Sequence, residues 1–266
     1  DISASCRISM NVAVPVVSCL DNWVSILPTA LLSTHTGKEF EGYTFLDLTQ
    51  EMGGILQHWQ SLGIKFDGIL IGYLGSRQQI NIIRDIILDP AMGDQGVLYP
   101  GFTLEYVDEM AALCNEATVI TPNVTEACFL TKRQMLKKPY KEADVAELLA
   151  DLRVLNPKSV VLTGVSLEME KVGAVCISQD EPEAQYTFAK HFPGHYDGAG
   201  DLFTSVVGGL LFQNLPLTVA TETAVHYNNK VIERTLKSGR ELHYGVQFET
   251  DLPYLIEQLR KYKPAE

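Results

Sequence analysis

Gly194-His195-Tyr196-Asp197-Gly198-Ala199-Gly200-Asp201 runs without interruption into Leu202-Phe203-Thr204-Ser205-Val206-Val207-Gly208-Gly209-Leu210-Leu211-Phe212. A glycine-flanked turn that ends where a buried helix begins leaves free backbone N–H groups at the helix's positive end, a seat for a phosphate or a developing anion. Asp201 stands in that seat. A carboxylate there repels the anion unless its task is to take a proton from the group that attacks it. The same residue also reads as an ordinary first-turn acid.

The rest of the chain gives this helix a large core to sit in. The 266 residues are 46% hydrophobic, which reads as one globular domain over residues 1–266. A net charge of -12 argues against nucleic acid and against an anionic membrane surface as partners, so an anionic substrate needs local help. Cys6, Cys19, Cys114, Cys128 and Cys176 follow no metal-ligand spacing and read as small buried hydrophobes of a reducing compartment. No apolar run reaches the roughly 20 residues needed to span a bilayer. A cytoplasmic location is expected.

Working outward from the quoted stretch, Leu217 to about Leu236 predicts a long helix, while Lys171–Ser178 and Gln185–His191 predict an antiparallel pair of strands. Further upstream, strands alternate with helices: Trp23–Ser33, Tyr43–Leu62 (helix), Phe66–Tyr73, Gln78 to about Ile86 (helix), Leu104–Asn115 (helix), Thr118–Ile120, Ala143–Leu155 (helix) and Ser159–Gly164. Such alternation predicts a mostly parallel sheet with helices on both faces. Ser9 is expected to cap a first helix carrying Val12, Val16 and Leu20. The helix from Gln78 meets Leu88-Asp89 with no turn between, so a connecting segment is expected to be missing near Asp85–Leu88. The chain opens on Asp1, and a preceding segment is expected as well.

Polar clusters follow the strands. Ser33-Thr34-His35-Thr36-Gly37 and Gly72-Tyr73-Leu74-Gly75-Ser76 fall at carboxyl ends, where open α/β sheets bind ligands. Tyr73 offers a stacking surface for a flat ligand or an amphipathic cap on the core. Asp89 and Asp94 flank a Pro/Gly loop and read either as a Mg²⁺ pair, direct or through water, or as turn formers. Thr121-Pro122-Asn123-Val124-Thr125-Glu126 joins a strand to a helix. Glu126 supports a metal's water shell or forms a capping box with Asn123. One cleft shared by all these clusters is the economical expectation.

Asp1-Ile2-Ser3, Ser33-Thr34-His35-Thr36-Gly37, Gly72-Tyr73-Leu74-Gly75-Ser76, Asp89-Pro90-Ala91-Met92-Gly93-Asp94, Thr121 to Glu126 and Gly198-Ala199-Gly200-Asp201 together resemble, in order, the sequence blocks of the pyridoxal kinases of the ribokinase superfamily. The resemblance covers nearly all of the chain. It implies a ribokinase-like three-layer α/β fold with an antiparallel edge, and ATP-dependent phosphorylation of the 5′-hydroxymethyl group of pyridoxal, pyridoxine and pyridoxamine. It also implies Mg²⁺, K⁺ as a further cation, and a homodimer.

Carried over by residue, the resemblance makes Asp201 the catalytic base. Ser3 and Thr36 become contacts to the pyridine ring, while His35 and Tyr73 line its pocket. Asp89, Thr121, Asn123, Glu126, Thr163, Gly198, Ala199 and Gly200 fall on the nucleotide side, with Asp89 and Glu126 near the Mg²⁺ through water. Ala199 departs from the family's usual threonine and removes a hydroxyl, though not the backbone N–H groups. Two other readings stand beside this one. A hydroxymethylpyrimidine kinase would share the fold but usually brings cysteine at the position of Asp201; a catalytically silent vitamer-binding protein finds its only hint in Ala199.

Overall fold

The apolar run after Asp201 forms a helix whose residues Leu202 to Leu210 are all buried, as expected of a helix apolar on every side. The computed structural model describes residues 1–80, 87–99, 102–156 and 158–263. Its elements begin with β1 (Ile2–Ser3), α1 (Met10–Cys19), β2 (Ala30–Leu32), β3 (Phe45–Asp47), α2 (Thr49–Ser61), β4 (Leu70–Ile71) and α3 (Arg77–Ile80). Then come β5 (Ile87–Leu88), β6 (Gly93–Asp94), β7 (Val97–Leu98), α4 (Leu104–Glu116), β8 (Val119–Ile120), α5 (Val124–Leu130) and α6 (Glu142–Leu155). The chain closes with β9 (Ser159–Val165), β10 (Lys171–Ser178), β11 (Gln185–Lys190), α7 (Ala199–Phe212), α8 (Leu217–Ser238) and α9 (Leu252–Tyr262).

These elements form two compact units, residues 1–67 with 192–266, and residues 68–191. In the first, β1 pairs parallel with β2 and β2 antiparallel with β3. There α7 lies among α1 and α8. Gly209 permits the α1 approach, because a Cβ at that position would sit 2.7 Å from Leu20 Cδ1. Asp251, buried at the start of α9, accepts a forked pair of hydrogen bonds from Arg234 of α8 and so ties the two helices together.

In the second unit, one sheet runs in the order β11-β10-β9-β8-β5-β4. The four strands β4, β5, β8 and β9 are parallel, and β10 and β11 add the expected antiparallel edge. Register aligns Ile71 with Leu88 and Leu88 with Ile120 across neighbouring strands. The same residues enter a core with Met110, Leu148 and Leu162. Each fully buried side chain of this kind contributes about 1.5–3 kcal/mol.

Three expectations change. Trp23–Ser33 is strand only over Ala30–Leu32, and Trp23 is almost fully exposed, because only the later residues find β1 and β3 as partners. The helix expected from Tyr43 begins at Thr49: Phe45–Asp47 pairs with β2, a long-range contact that overrides the helical spacing of Phe45 and Leu48. Ser9 occupies the N-cap of α1 but makes no side-chain cap, its φ being 50°. Asp94 ends one strand of a hairpin whose two-residue turn, Gln95-Gly96 at φ 51° and 82°, matches strand twist, in keeping with its reading as a turn former. The missing connection expected near Asp85–Leu88 falls largely on residues 81–86, outside the described residues. Among the described residues no helix is long and apolar enough to cross a membrane.

Candidate active site

In the first unit the site is built on the start of α7. Gly198, its N-cap, has φ 77°, a left-handed conformation that glycine adopts freely. A Cβ there would lie 2.2 Å from the Arg7 carbonyl oxygen, so the turn and the loop after β1 are pressed together at a glycine. Ala199, Gly200 and Asp201 follow as the first three helical residues, whose N–H groups have no intrahelical acceptor in an α-helix; that of Ala199 is instead donated to the Tyr196 carbonyl at 3.2 Å, so, contrary to expectation, it is not open to an anion. Asn228 of α8 donates its amide N–H to the Ala199 carbonyl at 2.8 Å and steadies the turn.

Asp201 is held from outside its own helix. Its Oδ2 accepts the Ser9 backbone N–H at 2.9 Å. Burial pushes its carboxyl above the usual range, the Ser9 N–H pulls it down, and the neighbouring Asp197 carboxylate pushes it up again; the net direction is upward. A carboxylate with raised proton affinity is a better base.

Ser3, at the carboxyl end of β1, is fully buried, and its hydroxyl has no partner among the described residues. An unpaired buried hydroxyl leaves hydrogen-bonding capacity for a ligand. His35 is buried with both nitrogens engaged: Nδ1 accepts the Gly37 N–H at 3.0 Å, and Nε2 faces the His243 carbonyl at 2.8 Å. Those partners fix the tautomer with the proton on Nε2. His35 therefore offers a ring wall, with the edge of Phe40 against it at 4.7 Å between centroids, rather than a hydrogen bond. Thr36 is exposed beside it.

In the second unit the predicted residues line up along the carboxyl ends of adjacent parallel strands. Tyr73 follows β4, Asp89 follows β5, Thr121 follows β8, and Thr163 lies within β9. Tyr73 sets its ring 5.7 Å from Phe102, which stacks on Tyr106 at 4.2 Å. Thr163 donates its backbone N–H to the Pro122 carbonyl at 2.9 Å and bridges to Asn123. The capping box read from the sequence is present: Asn123 Oδ1 accepts the Glu126 N–H at 3.0 Å, and Glu126 Oε2 accepts the Asn123 N–H at 2.9 Å. Asn123 also donates to the Gly93 carbonyl at 2.9 Å. Glu126 Oε1 accepts the Met92 N–H at 3.1 Å, so both carboxylate oxygens hold backbone.

Glu126 is buried beside Asp89. Burial first, and the Asp89 charge second, hold its carboxyl well above the usual range, although its backbone hydrogen bonds pull the other way. Two neighbouring buried carboxylates suit a divalent cation that relieves their repulsion. Among the described residues no group of three or more His, Cys, Asp or Glu could form a dedicated cage. That donor set fits Mg²⁺, which takes one or two carboxylates together with phosphate oxygens and waters. Asp94 Oδ1 accepts the Gln95 N–H at 2.7 Å and so serves its turn.

Sequence reasoning missed Ser9 as the residue that grips Asp201, and it missed Asn228. Both contacts are long-range, 192 and 29 residues away in the chain, and no local pattern marks them.

A family model for phosphomethylpyrimidine kinase matches residues 62–246, a span that includes the α7 turn and every predicted residue of the second unit. The chain belongs to that family. Among solved structures, a putative phosphomethylpyrimidine kinase from Bacteroides thetaiotaomicron, crystallised in a form with pyridoxal, is 35% identical. The match covers 96% of this chain and 93% of that one, with a TM-score of 0.89. Pyridoxal kinase from Lactobacillus plantarum is 31% identical over 98% of this chain and 96% of its own, with a TM-score of 0.88. Pyridoxal kinase from Arabidopsis thaliana is 27% identical over 80% of this chain and 72% of its own length. Family membership makes the protein a kinase, and its fold is the ribokinase-like one.

Proposed function

We propose that the protein transfers the γ-phosphoryl group of ATP to the 5′-hydroxymethyl group of pyridoxal, and also to pyridoxine and pyridoxamine, giving pyridoxal 5′-phosphate or its analogues for vitamin B6 salvage. The observation that carries this reading is Asp201, in the first turn of α7, with Oδ2 held by Ser9 and a raised proton affinity. Phosphoryl transfer is mostly positioning and charge stabilisation, so the protein has to place an alcohol, take its proton and neutralise phosphate oxygens.

In the first unit, the unpaired Ser3 hydroxyl supports a contact to the pyridine ring, with the His35 ring and Thr36 alongside. Asp201 accepts the alcohol proton as the oxygen bonds to phosphorus and ADP departs. The N–H groups of Gly198 and Gly200 face the transferred phosphoryl at the positive end of α7, while that of Ala199 is donated to the Tyr196 carbonyl at 3.2 Å. In the second unit, Tyr73 contributes a ring face to the substrate, and Thr121, Asn123 and Thr163 contact the nucleotide. Asp89 and Glu126 would hold Mg²⁺ through water, and the ion, when bound, supplies positive charge to phosphate oxygens. K⁺ dependence, a single-domain homodimer and a cytoplasmic setting complete the proposal on the strength of the family resemblance.

The rival that the family's description keeps in view is hydroxymethylpyrimidine phosphorylation. Aspartate at 201, where that activity usually has cysteine, supports the B6 reading instead. ADP release measured with Mg²⁺-ATP and each of pyridoxal, pyridoxine, pyridoxamine and hydroxymethylpyrimidine tests it. Turnover confined to hydroxymethylpyrimidine would replace the proposal, and none with any of the four would favour a silent binding protein.

A further inference from the structure

Asp1 is 8% exposed, and its Oδ1 is buried with no partner among the described residues. A buried carboxylate is normally paired, because an unpaired charged oxygen costs more than an unpaired hydroxyl. Asp251 has both oxygens on Arg234, and Glu126 has both on backbone N–H groups. Asp1 immediately precedes β1 and stands two positions before Ser3. Side chains two apart in an extended chain share a face and lie roughly 7 Å apart. Ile2 between them turns the other way, level with the exposed Leu31, whereas Ser3 pairs with the buried Leu32. One buried face of the strand thus carries a carboxylate oxygen and a hydroxyl, both unpaired.

The start of α1 fastens this face to the α7 turn through three consecutive residues. Ser9 donates its N–H to Asp201 Oδ2 at 2.9 Å, Met10 donates its N–H to the Asp1 carbonyl at 3.3 Å, and the Asn11 amide donates to the Ser3 carbonyl. We propose that Asp1 is a substrate contact that reads the protonated ring nitrogen of a B6 vitamer, its Oδ1 accepting the pyridinium N–H. The inference rests on the substrate class proposed above. Near neutrality the 3-hydroxypyridine ring common to these vitamers carries its proton largely on nitrogen, with the 3-oxygen ionised. That N–H is the cationic donor that pyridoxal, pyridoxine and pyridoxamine share, and a charged acceptor bonds most strongly to a charged donor. The other donor they share, the 5′-hydroxyl, belongs to Asp201. Ser3, whose hydroxyl both donates and accepts, is left for a neighbouring ring substituent. The group at the 4-position does not alter the Asp1 contact, so Asp1 selects the ring and not the vitamer.

The test reads the nitrogen directly. A ring N–H held by a buried carboxylate gives a downfield proton coupled to ¹⁵N, which exchange with water erases in free pyridoxine. Pyridoxine labelled with ¹⁵N in the ring should show that proton when bound to the parent, and the signal should move upfield or vanish in Asp1→Asn. Calorimetry should show Asp1→Asn and Asp1→Ala binding pyridoxine roughly 10–100-fold more weakly. The phenol analogue, with C–H in place of the ring nitrogen, should bind the parent more weakly than pyridoxine by a similar factor and should lose little further in Asp1→Ala. A parent without the coupled proton, a signal unchanged in Asp1→Asn, or equal losses for pyridoxine and the analogue in Asp1→Ala would overturn the inference. The parent's signal and its preference for pyridoxine over the analogue decide the matter even if the variants fold poorly. A parent that shows the signal yet releases no ADP with pyridoxine counts against the proposed reaction alone. Phosphorylation of pyridoxine without the signal overturns the Asp1 contact alone, and failure of pyridoxine to bind overturns both.

Discussion

Replacing Asp201 by asparagine keeps the shape of the side chain and removes the proton acceptor. Asparagine Oδ1 can still take the Ser9 N–H that Asp201 Oδ2 holds at 2.9 Å, so the turn should survive. Loss of a positioned base lowers turnover by about 10²–10⁴-fold, equivalent to about 3–5 kcal/mol of barrier. Stability should respond with a definite sign. Burial raises the folded-state carboxyl above its unfolded value. Between those values the folded chain binds more protons than the unfolded one, so the parent loses stability as pH rises through that window and stays at the lower level above it. Asparagine carries no such penalty. The lost attraction between charge and helix terminus, about 0.3–1 kcal/mol, works against this gain. The net upward direction of the carboxyl means that burial prevails, so the variant should melt no lower than the parent at neutral pH, and the advantage should vanish under acid. ATP affinity should be unchanged or tighter, since a like charge beside the phosphate is gone. Steady-state ADP release, calorimetric ATP binding and melting curves on one preparation decide the matter. Turnover within a few-fold of the parent, together with a lower melting temperature, would show Asp201 to be a helix-terminus acid and nothing more.

Glu126→Gln leaves one acceptor oxygen where two now hold the Met92 and Asn123 N–H groups, a loss of about 1–3 kcal/mol for the orphaned donor. Because burial and Asp89 raise the Glu126 carboxyl, its charge destabilises the parent as pH rises above the ordinary carboxylate range, and the variant should show a flatter melting profile from pH 5 to 8, along with a higher Mg²⁺ requirement; parallel profiles would refute the sign. Gly198→Ala adds left-handed strain of roughly 1 kcal/mol and a Cβ 2.2 Å from the Arg7 carbonyl. It should lower both melting temperature and turnover, and a variant indistinguishable from the parent in both would show that the turn tolerates displacement.

What the sequence makes legible is what local chemistry decides. The α7 helix is buried from Leu202 to Leu210 and has no other place than a core; Asn123 and Glu126 sit at capping-box spacing and form one; the strands read over Lys171–Ser178 and Gln185–His191 pair antiparallel, the second as Gln185–Lys190. What it hides is settled by partners distant in the chain. Phe45–Asp47 is three residues long, too short for alternation to distinguish it from a helix start, and only pairing with Ala30–Leu32 makes it a strand. Ser9 carries a good capping side chain, yet its backbone N–H is drawn to a carboxylate 192 residues on, leaving the hydroxyl unused as a cap. The resemblance expects His35 to line a pocket; the engagement of both its nitrogens by Gly37 and His243 is not readable from the sequence.

Two of the acids at the third position of a helix, Glu126 and Asp201, show how geometry separates roles that sequence leaves alike. Glu126 in α5 and Asp201 in α7 each follow a turn, each stand beneath an N-terminus, and each have a carboxyl raised by burial. Glutamate has the reach to bend back to its own N-cap, so Oε2 closes the box with Asn123 while Oε1 takes Met92. With both oxygens committed to backbone, the Glu126 side chain serves the loop and the helix start. Aspartate is one methylene shorter, and its cap is a left-handed glycine; its carboxylate is gripped from outside α7, by the Ser9 N–H at the start of α1 and on Oδ2. The other oxygen can receive a proton without undoing any structural hydrogen bond. A base has to change protonation state on every turnover while the site stays put, and of these two carboxylates only Asp201 is mounted to do so.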